Sequence, residues 1–361
     1  MTRIAPTILA YAMGALIIVA TARGQGLTIP DELKARIEAW AAENPREGGT
    51  VREDWRYELP EGVTTRQVRF YSNETACYAK IFYPKGFDPS GSYPAVVLGH
   101  GTNAITLAME KYGAVFTAHG LVAMAIDYRG YGFSDGWVIL EEEDTTTDAQ
   151  RITEKEARLV LKRTRLLTQK QLEDYRSAIS YLQGELGVDP GRIGIWGSSL
   201  SGSTVIAVAG TDARVKAVVG QVAGGARGGR RTPPTQLTGA LLEDAIRRAR
   251  TGQGAEIDTG FSFRGKVDLE SRARNRELGT GELMDRIPKT TAVLLLPAEN
   301  DELIRVQRPI AAVEYLKQRN VIAEVVVIPT ITHFQAYAGP AFEATSTLAA
   351  RWFAHHLKAG K

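Results

Sequence analysis

The sequence predicts an α/β fold, in which a mostly parallel sheet of about eight strands carries helices on both faces. Two observations lead to this prediction. Beyond Pro94 the chain returns repeatedly to short apolar runs rich in Val, Ile and Leu, which are typical of strands buried on both faces of a parallel sheet. Helical stretches separate most of these runs, and this alternation favours right-handed crossovers. The runs are Ala95–Leu98, Leu121–Ile126, Ile193–Trp196, Val215–Val222, Ala292–Leu296 and Ala323–Ile328.

The segment before the parallel strands adds a helix and two further strands. Ile29–Glu43 has the spacing of apolar residues expected for a helix. Val68–Tyr71 and Cys77–Tyr83 have the composition of paired strands joined by a short turn. We therefore expect one domain over 23–361, whose first part, 23–62, is an N-terminal extension.

Two segments interrupt the alternation of helices and strands. Trp137–Leu167 is highly charged, and Gly224–Lys289 separates two predicted strands by many more residues than a crossover needs. Gly224–Lys289 carries 13 Lys and Arg against 9 Asp and Glu. Insertions of this length are usually lids or small subdomains. We expect 224–289 to form a helical cap over the functional site.

Composition narrows the classes of function. Among 361 residues, Lys and Arg number 44 and Asp and Glu 41, a balance that argues against nucleic-acid binding. The single cysteine, Cys77, excludes an internal disulfide and a cysteine-built metal site. The five histidines form no evident metal cluster, and no glycine-rich run has nucleotide-binding spacing after a strand. We expect neither a metal nor a cofactor.

The first 22 residues have the pattern of a secretory signal peptide. Arg3 precedes an apolar run, and Ala20-Thr21-Ala22 satisfies the small-x-small rule for cleavage. We expect a secreted or periplasmic protein with no stable membrane insertion after cleavage. The alternative is an uncleaved anchor, because the apolar run approaches the length that spans a membrane.

The main functional motif directly follows the run Ile193–Trp196. There, Gly197-Ser198-Ser199-Leu200-Ser201-Gly202 leads into an apolar helical stretch, and such a strand, tight turn and helix are typical of a nucleophile elbow. The turn strains the serine backbone, so the residues two before and two after it must be small. Ser199 meets this condition and Ser198 does not, because bulky residues stand at both positions around Ser198. The helix start also favours developing negative charge there.

Two further side chains follow strands later in the sequence. Asp301 comes just after the run Ala292–Leu296, and His333 follows the run Ala323–Ile328. A Gly-His-Gly turn, 99–101, follows the first parallel run. Carboxyl ends of strands are where open α/β sheets bind ligands, so these elements are predicted to meet at one edge. Glu299 stands two residues from Asp301 and is the alternative partner for His333.

The elbow, His100-Gly101, the Asp301 and His333 loops and the stretch Asp127–Ser134 together resemble the α/β-hydrolase superfamily, over about 67–357. The elbow is more similar to dienelactone-hydrolase-like esterases and S15-type acyl peptidases than to classical lipases. This resemblance implies the α/β-hydrolase fold and a serine-dependent mechanism. Ser199 would be the nucleophile, His333 its base and Asp301 the carboxylate that orients His333. The backbone N–H of Leu200, with that of Thr102 or Gly101, would form the oxyanion hole.

Further expectations concern the substrate. Tyr128, Trp137 and Phe334 are candidates for lining an acyl pocket, although core packing is an alternative role for each. His100 is expected to brace the oxyanion loop rather than to act in catalysis. We expect hydrolysis of a small-molecule carboxylic ester or acyl compound. The alternatives are a peptidase or amidase, an acyltransferase or thioesterase on the same triad, and a binding protein without activity.

Overall fold

A computed structural model describes residues 27–45, 55–102, 104–141, 156–162, 168–224, 238–251, 256–258, 266–268 and 280–358. The predicted signal peptide, residues 1–22, lies outside the described residues.

The largest sheet contains eight strands. In spatial order they are β1 (Thr64–Ser72), β2 (Thr75–Tyr83), β4 (Val122–Ile126), β3 (Tyr93–Gly99), β7 (Val188–Ser198), β8 (Val215–Gln221), β11 (Ala292–Leu296) and β12 (Ala323–Val325). The β1–β2 and β2–β4 pairs are antiparallel. All other neighbouring strands run parallel. The mostly parallel sheet predicted from the apolar runs is therefore confirmed.

Helices cover both faces of this sheet. On one face lie α1 (Asp31–Glu43), α2 (Thr106–Thr117) and α8 (Gly339–His356), and on the other lie α3 (Thr168–Gln183), α4 (Leu200–Ala209) and α7 (Gln307–Gln318). Strand residues alternate between the two cores, because successive side chains of a strand point to opposite faces. In β3, Val96 and Leu98 pack with α2 and α8, whereas Ala95 and Val97 pack on the other side.

The two insertions contain elements of their own. Within 137–167 the structure describes an antiparallel pair, β5 (Trp137–Leu140) and β6 (Leu159–Lys162). Within 224–289 it describes α5 (Gly239–Thr251), α6 (Thr280–Met284) and a short pair, β9 (Glu256–Asp258) with β10 (Lys266–Asp268). The β9–β10 pair was not expected in a segment predicted to be helical. Strands of three residues are too short to give a readable alternation of polar and apolar residues.

The described residues lack two features, a membrane-spanning helix and a metal-binding cluster. None of the helices there combines the length and the apolar character needed to cross a membrane. The same residues hold no group of three or more His, Cys, Asp or Glu side chains suited to a metal ion.

A buried ion pair fixes the loop after β4 to helix α3. The Arg129 Nε donates to Asp174 Oδ1 at 2.8 Å, and the backbone N–H of Arg129 donates to Asp174 Oδ2 at 3.1 Å. The guanidinium also reaches the hydroxyl of Ser72 at the end of β1. The Asp174 side chain has no exposed surface and that of Arg129 is 8% exposed. One ion pair therefore joins β1, the β4 loop and α3.

We expect Asp174→Ala to destabilise the protein by about 3 kcal/mol, because it removes the buried partner of the Arg129 charge. The carboxylate that remains near Arg129 is the half-buried Glu173, 3.4 Å away. Urea unfolding followed by circular dichroism measures the loss. Asp135→Ala is the control, since it removes another Arg–Asp pair, with Arg69, whose side chains are 50% and 48% exposed. Exposed pairs contribute about 0–1 kcal/mol, so equal losses in the two variants would contradict this account.

Candidate active site

A strained serine joins strand β7 to helix α4. Ser199 has φ 56° and ψ −118°, a backbone conformation that residues with a side chain rarely adopt. Hydrogen bonds hold both sides of the turn: the Ser199 N–H donates to the Gln221 carbonyl at 2.9 Å, and the Gly202 N–H donates to the Ser199 carbonyl at 3.0 Å. This is the sharp turn predicted for the elbow.

The small residue expected before the serine is a steric requirement. A Cβ added to Gly197 would lie 2.4 Å from the Ser201 carbonyl oxygen. That distance is too short for any side chain. The first turn of α4 therefore packs directly on the backbone of the elbow.

His333 and Asp301 lie beside Ser199. The Nε2 of His333 is 3.0 Å from the Ser199 Oγ, and its Nδ1 is 2.8 Å from the Asp301 Oδ2. The His333 and Asp301 side chains are 2% and 1% exposed. The three side chains predicted from the sequence form one continuous line of contacts at the carboxyl ends of the strands.

Backbone donors hold the carboxylate of this line in place. The Asp301 Oδ1 accepts the N–H groups of Leu303 at 2.9 Å and Ile304 at 2.7 Å, which leaves Oδ2 for the imidazole. Glu299, the alternative partner for His333, instead accepts the N–H of Thr330 at 2.7 Å. Asp301 is thus the carboxylate in contact with His333.

The loop carrying His333 has a second acidic contact that sequence reasoning missed. The backbone N–H of His333 donates to the Glu302 Oε2 at 2.8 Å. Glu302 follows Asp301 directly, so neighbouring residues hold the ring and the backbone of the same histidine. Sequence adjacency to Asp301 was the signal available.

The residues expected to form the oxyanion hole lie next to Ser199. Leu200 is the first residue of α4, where N–H groups lack an intrahelical acceptor, and no described residue accepts a hydrogen bond from its N–H. Gly101 lies against the elbow, since a Cβ there would be 3.1 Å from the Ser199 Cβ. Thr102 follows in the same half-buried turn. These are the groups expected to form the oxyanion hole.

His100 is buried beneath this turn. Its Nδ1 lies 2.8 Å from the Gly101 carbonyl and its Nε2 lies 3.4 Å from the Tyr128 N–H. The neutral imidazole with its proton on Nδ1 satisfies both contacts, and burial lowers the pKa of His100, which favours that form. Its contacts are those of a brace for the oxyanion loop.

Comparisons with known proteins bear on the fold and on the class of protein. A model of the acetyl xylan esterase family (AXE1) matches residues 57–223. The chain is 32% identical over 127 residues to thiohydrolase aneE of Aspergillus aculeatus, a match covering 35% of this chain and 32% of that protein. The chain thus spans about a third of the length of that curated relative.

Two solved structures share the fold. Alpha/beta hydrolase GrgF from Penicillium sp. sh18 has a TM-score of 0.57 at 16% identity, with 82% of this chain and 99% of that chain covered. EstE1, a carboxylesterase cloned from a metagenomic library, has a TM-score of 0.55 at 18% identity, with 92% and 99% covered. The chain therefore has the α/β-hydrolase fold. The fold that the sequence resemblance implied is confirmed.

The aromatic candidates for an α/β-hydrolase acyl pocket lie in different surroundings. The ring of Phe334 packs edge-on against that of His333, with centroids 5.2 Å apart. Trp137 is half-buried at the start of β5. Tyr128 is fully buried, with its hydroxyl 2.5 Å from the Ser201 Oγ, so it supports the elbow from within the core rather than facing an accessible pocket.

Tyr128 belongs to a buried hydroxyl network below the elbow that carries Ser199. The Ser201 Oγ also contacts the Tyr175 Oη at 2.7 Å, and the Tyr175 hydroxyl donates to the Trp196 carbonyl at 2.8 Å. Gly99 leaves room for both tyrosines, because a Cβ there would lie 2.2 Å from each hydroxyl oxygen. Sequence reasoning assigned Ser201 only a small size and missed these hydrogen bonds.

We expect Gly197→Ala to destabilise the protein by about 1–3 kcal/mol or more, since the new methyl group overlaps the Ser201 carbonyl. Thermal unfolding measures the effect. Gly184→Ala is the control, because a Cβ there would lie 3.6 Å from the nearest atom, an ordinary contact. Equal midpoints for wild type and Gly197→Ala would show that the elbow tolerates a side chain.

Proposed function

We propose that this protein is a serine hydrolase that cleaves carboxylic esters through an acyl-enzyme intermediate. The observation that carries the proposal is the line of contacts from the Ser199 Oγ through the His333 ring to the Asp301 carboxylate, at 3.0 and 2.8 Å. The AXE1 family match and the fold shared with a carboxylesterase support an ester as the substrate. We also propose export, on the basis of the leader-like residues 1–22.

The proposed reaction begins with transfer of the Ser199 hydroxyl proton to His333 Nε2 as the oxygen attacks the ester carbonyl. The Nδ1–H of His333 donates to Asp301, which stabilises the imidazolium without taking its proton. The N–H of Leu200, with that of Gly101 or Thr102, holds the oxyanion. His333 then gives its proton to the departing alcohol, leaving Ser199 acylated.

Water completes the cycle. His333 takes a proton from a water molecule that attacks the acyl carbon, and returns it to the Ser199 oxygen as the carboxylic acid leaves. Burial of the His333 and Asp301 side chains excludes other water from their hydrogen bond. The low local dielectric strengthens the interaction between imidazolium and carboxylate.

A thioester substrate is the second candidate. It is favoured by the identity to a protein named a thiohydrolase. The attack, oxyanion and acyl-enzyme are common to esters and thioesters, and the leaving group is the difference. A peptidase or amidase would use the same side chains on an amide.

We expect a fluorophosphonate probe to label Ser199 in the wild-type protein, with the adduct located by mass spectrometry. Ser199→Ala removes the nucleophile and His333→Ala removes its base, so both abolish labelling, and each lowers kcat for an ester by about 10⁴–10⁶-fold. Ser203→Ala, another serine of α4, is the control and keeps full labelling. An unlabelled wild-type protein, or an adduct on another residue, would sink the proposal.

A substrate panel separates the candidate reactions. We expect p-nitrophenyl esters with short to medium acyl chains to give a higher kcat/KM than the matching acyl thioesters or aminoacyl anilides. The comparison uses one acyl group on each leaving group, with Ser199→Ala as the blank. A higher value for thioesters supports the second candidate, and a clear preference for anilides indicates a peptidase or amidase.

A further inference from the structure

Helix α1 is docked beside the loop that carries His333. It precedes the residues matched by the esterase family model, which start at 57. Ile37 is fully buried in the same core cluster as α8, and Arg36 forms an ion pair with Glu343 of α8 at 2.8 Å. Gly339, at the start of α8, has φ +54°, and a Cβ there would lie 2.5 Å from the Trp40 ring. Helix α1 therefore contacts the chain at Gly339, only six residues after His333 in the sequence.

Gln335 joins the end of α1 to this loop. Its Nε2 donates to the carbonyls of Ala41 and Asn44, each at 2.9 Å, and its Oε1 accepts the backbone N–H of Thr332 at 2.8 Å. Gln335 is 2% exposed. The last carbonyls of a helix lack intrahelical donors, so the amide supplies what the end of α1 requires.

An amide is the side chain that these three contacts demand. Two carbonyl oxygens need donors, and the Thr332 N–H needs an acceptor. A glutamine offers two N–H donors and one carbonyl oxygen at the same end, whereas an ionised glutamate offers acceptors alone. Gln335 can therefore donate to the two carbonyls of α1 and accept from the Thr332 N–H at the same time.

Because Thr332 directly precedes His333, this link bears on the imidazole. The loop between β12 and the short 3₁₀ turn Gln335–Tyr337 carries His333. Backbone hydrogen bonds to the chain after β11 hold it only as far as Ile331, whose carbonyl accepts the N–H of Asn300 at 3.0 Å. The next two backbone N–H groups are held by side chains, Thr332 by Gln335 and His333 by Glu302. The proposed reaction depends on the His333 Nε2 staying 3.0 Å from the Ser199 Oγ.

We propose that helix α1 positions His333, with Gln335 as the positioning residue that connects them. This inference rests on the proposed function for its kinetic readout. The N-terminal extension then helps to hold the His333 ring beside Ser199.

The first test is Gln335→Leu, which keeps the size of the side chain and removes its three hydrogen bonds. We expect kcat for a p-nitrophenyl ester to fall by about 10–100-fold, since a displacement near 1 Å of a reacting group has this effect. KM is expected to stay within about twofold, because Gln335 is buried and its side chain is hydrogen-bonded within the protein. The rate of fluorophosphonate labelling at Ser199 falls in parallel.

Val122→Ala is the control for general loss of stability. Val122 is fully buried at the start of β4, at the opposite end of the strand from the loops that form the site. Urea unfolding of both variants gives the loss of stability of each. Equal kcat values for the two variants would overturn the inference.

The second test is Gln335→Glu, whose activity is expected to depend on pH differently from that of wild type. It tests the inference independently if Gln335→Leu does not fold. The ionised carboxylate faces two carbonyls, and the neutral acid restores one donor to them. The ratio of its kcat to that of wild type is therefore expected to rise as pH falls from about 8 to about 6, as burial raises a carboxyl pKa. A ratio that does not change with pH would contradict the inference.

A measurement without turnover separates this inference from the proposed function. In protein labelled with ¹⁵N-histidine, the His333 Nδ1 proton bonded to Asp301 is expected to give a downfield signal. The inference predicts that Gln335→Leu broadens or shifts this signal and that Val122→Ala does not. If the wild type cleaves no ester and Ser199 takes no label, the proposed function fails. The signal alone then decides: a change supports the positioning role, and an unchanged signal overturns it.

Discussion

The backbone of Ser199 imposes the constraint on which the rest of the site depends. A positive φ at a residue with a side chain costs about 1–3 kcal/mol, so the surrounding structure must hold it in place. Gln221 accepts its N–H, and the first turn of α4 closes on its carbonyl. Gly197 permits that closure because it has no Cβ to meet Ser201. The same turn raises the hydroxyl above the strand ends and leaves the N–H of Leu200 at a helix start. The proposed nucleophile and one proposed oxyanion donor therefore both depend on the backbone conformation of one strained residue.

The Asp301–His333 pair must then reach this hydroxyl from other strands. A buried carboxylate is costly unless hydrogen bonds satisfy it, and Asp301 receives two from backbone N–H groups and one from His333. The ring is thereby held through Nδ1, and Glu302 holds its backbone. Little freedom remains for the imidazole to leave the serine. The order that catalysis would require is established before any substrate binds, which lowers the cost of reaching the transition state.

The sequence predicted the parallel sheet because its strands are continuous apolar runs, and it predicted which side chains would meet because each follows such a run. Ser199, Asp301 and His333 were all identified in this way. Other features depend on distant contacts that leave no local pattern. The alternation of helices and strands does not predict that the Tyr128 side chain points into the core and contacts Ser201, because tertiary packing determines its orientation. Gln335 also looked unremarkable, since its partners Ala41 and Asn44 are almost 300 residues away in the sequence.

Through Gln335, the N-terminal helix α1 affects the order of the loop that carries His333. The strands and the elbow bring Ser199 to the strand ends by regular hydrogen bonding. The loop that carries His333 pairs with the chain after β11 only as far as Ile331, and the residues next to His333 lie beyond that pairing. Its backbone donors and acceptors must therefore be satisfied by side chains or by a neighbouring element. The end of helix α1 needs hydrogen-bond donors, because its last carbonyls have none within the helix. The buried amide of Gln335 donates to the end of α1 and accepts from the loop. The order of the loop that carries His333 and the docking of α1 therefore stabilise each other.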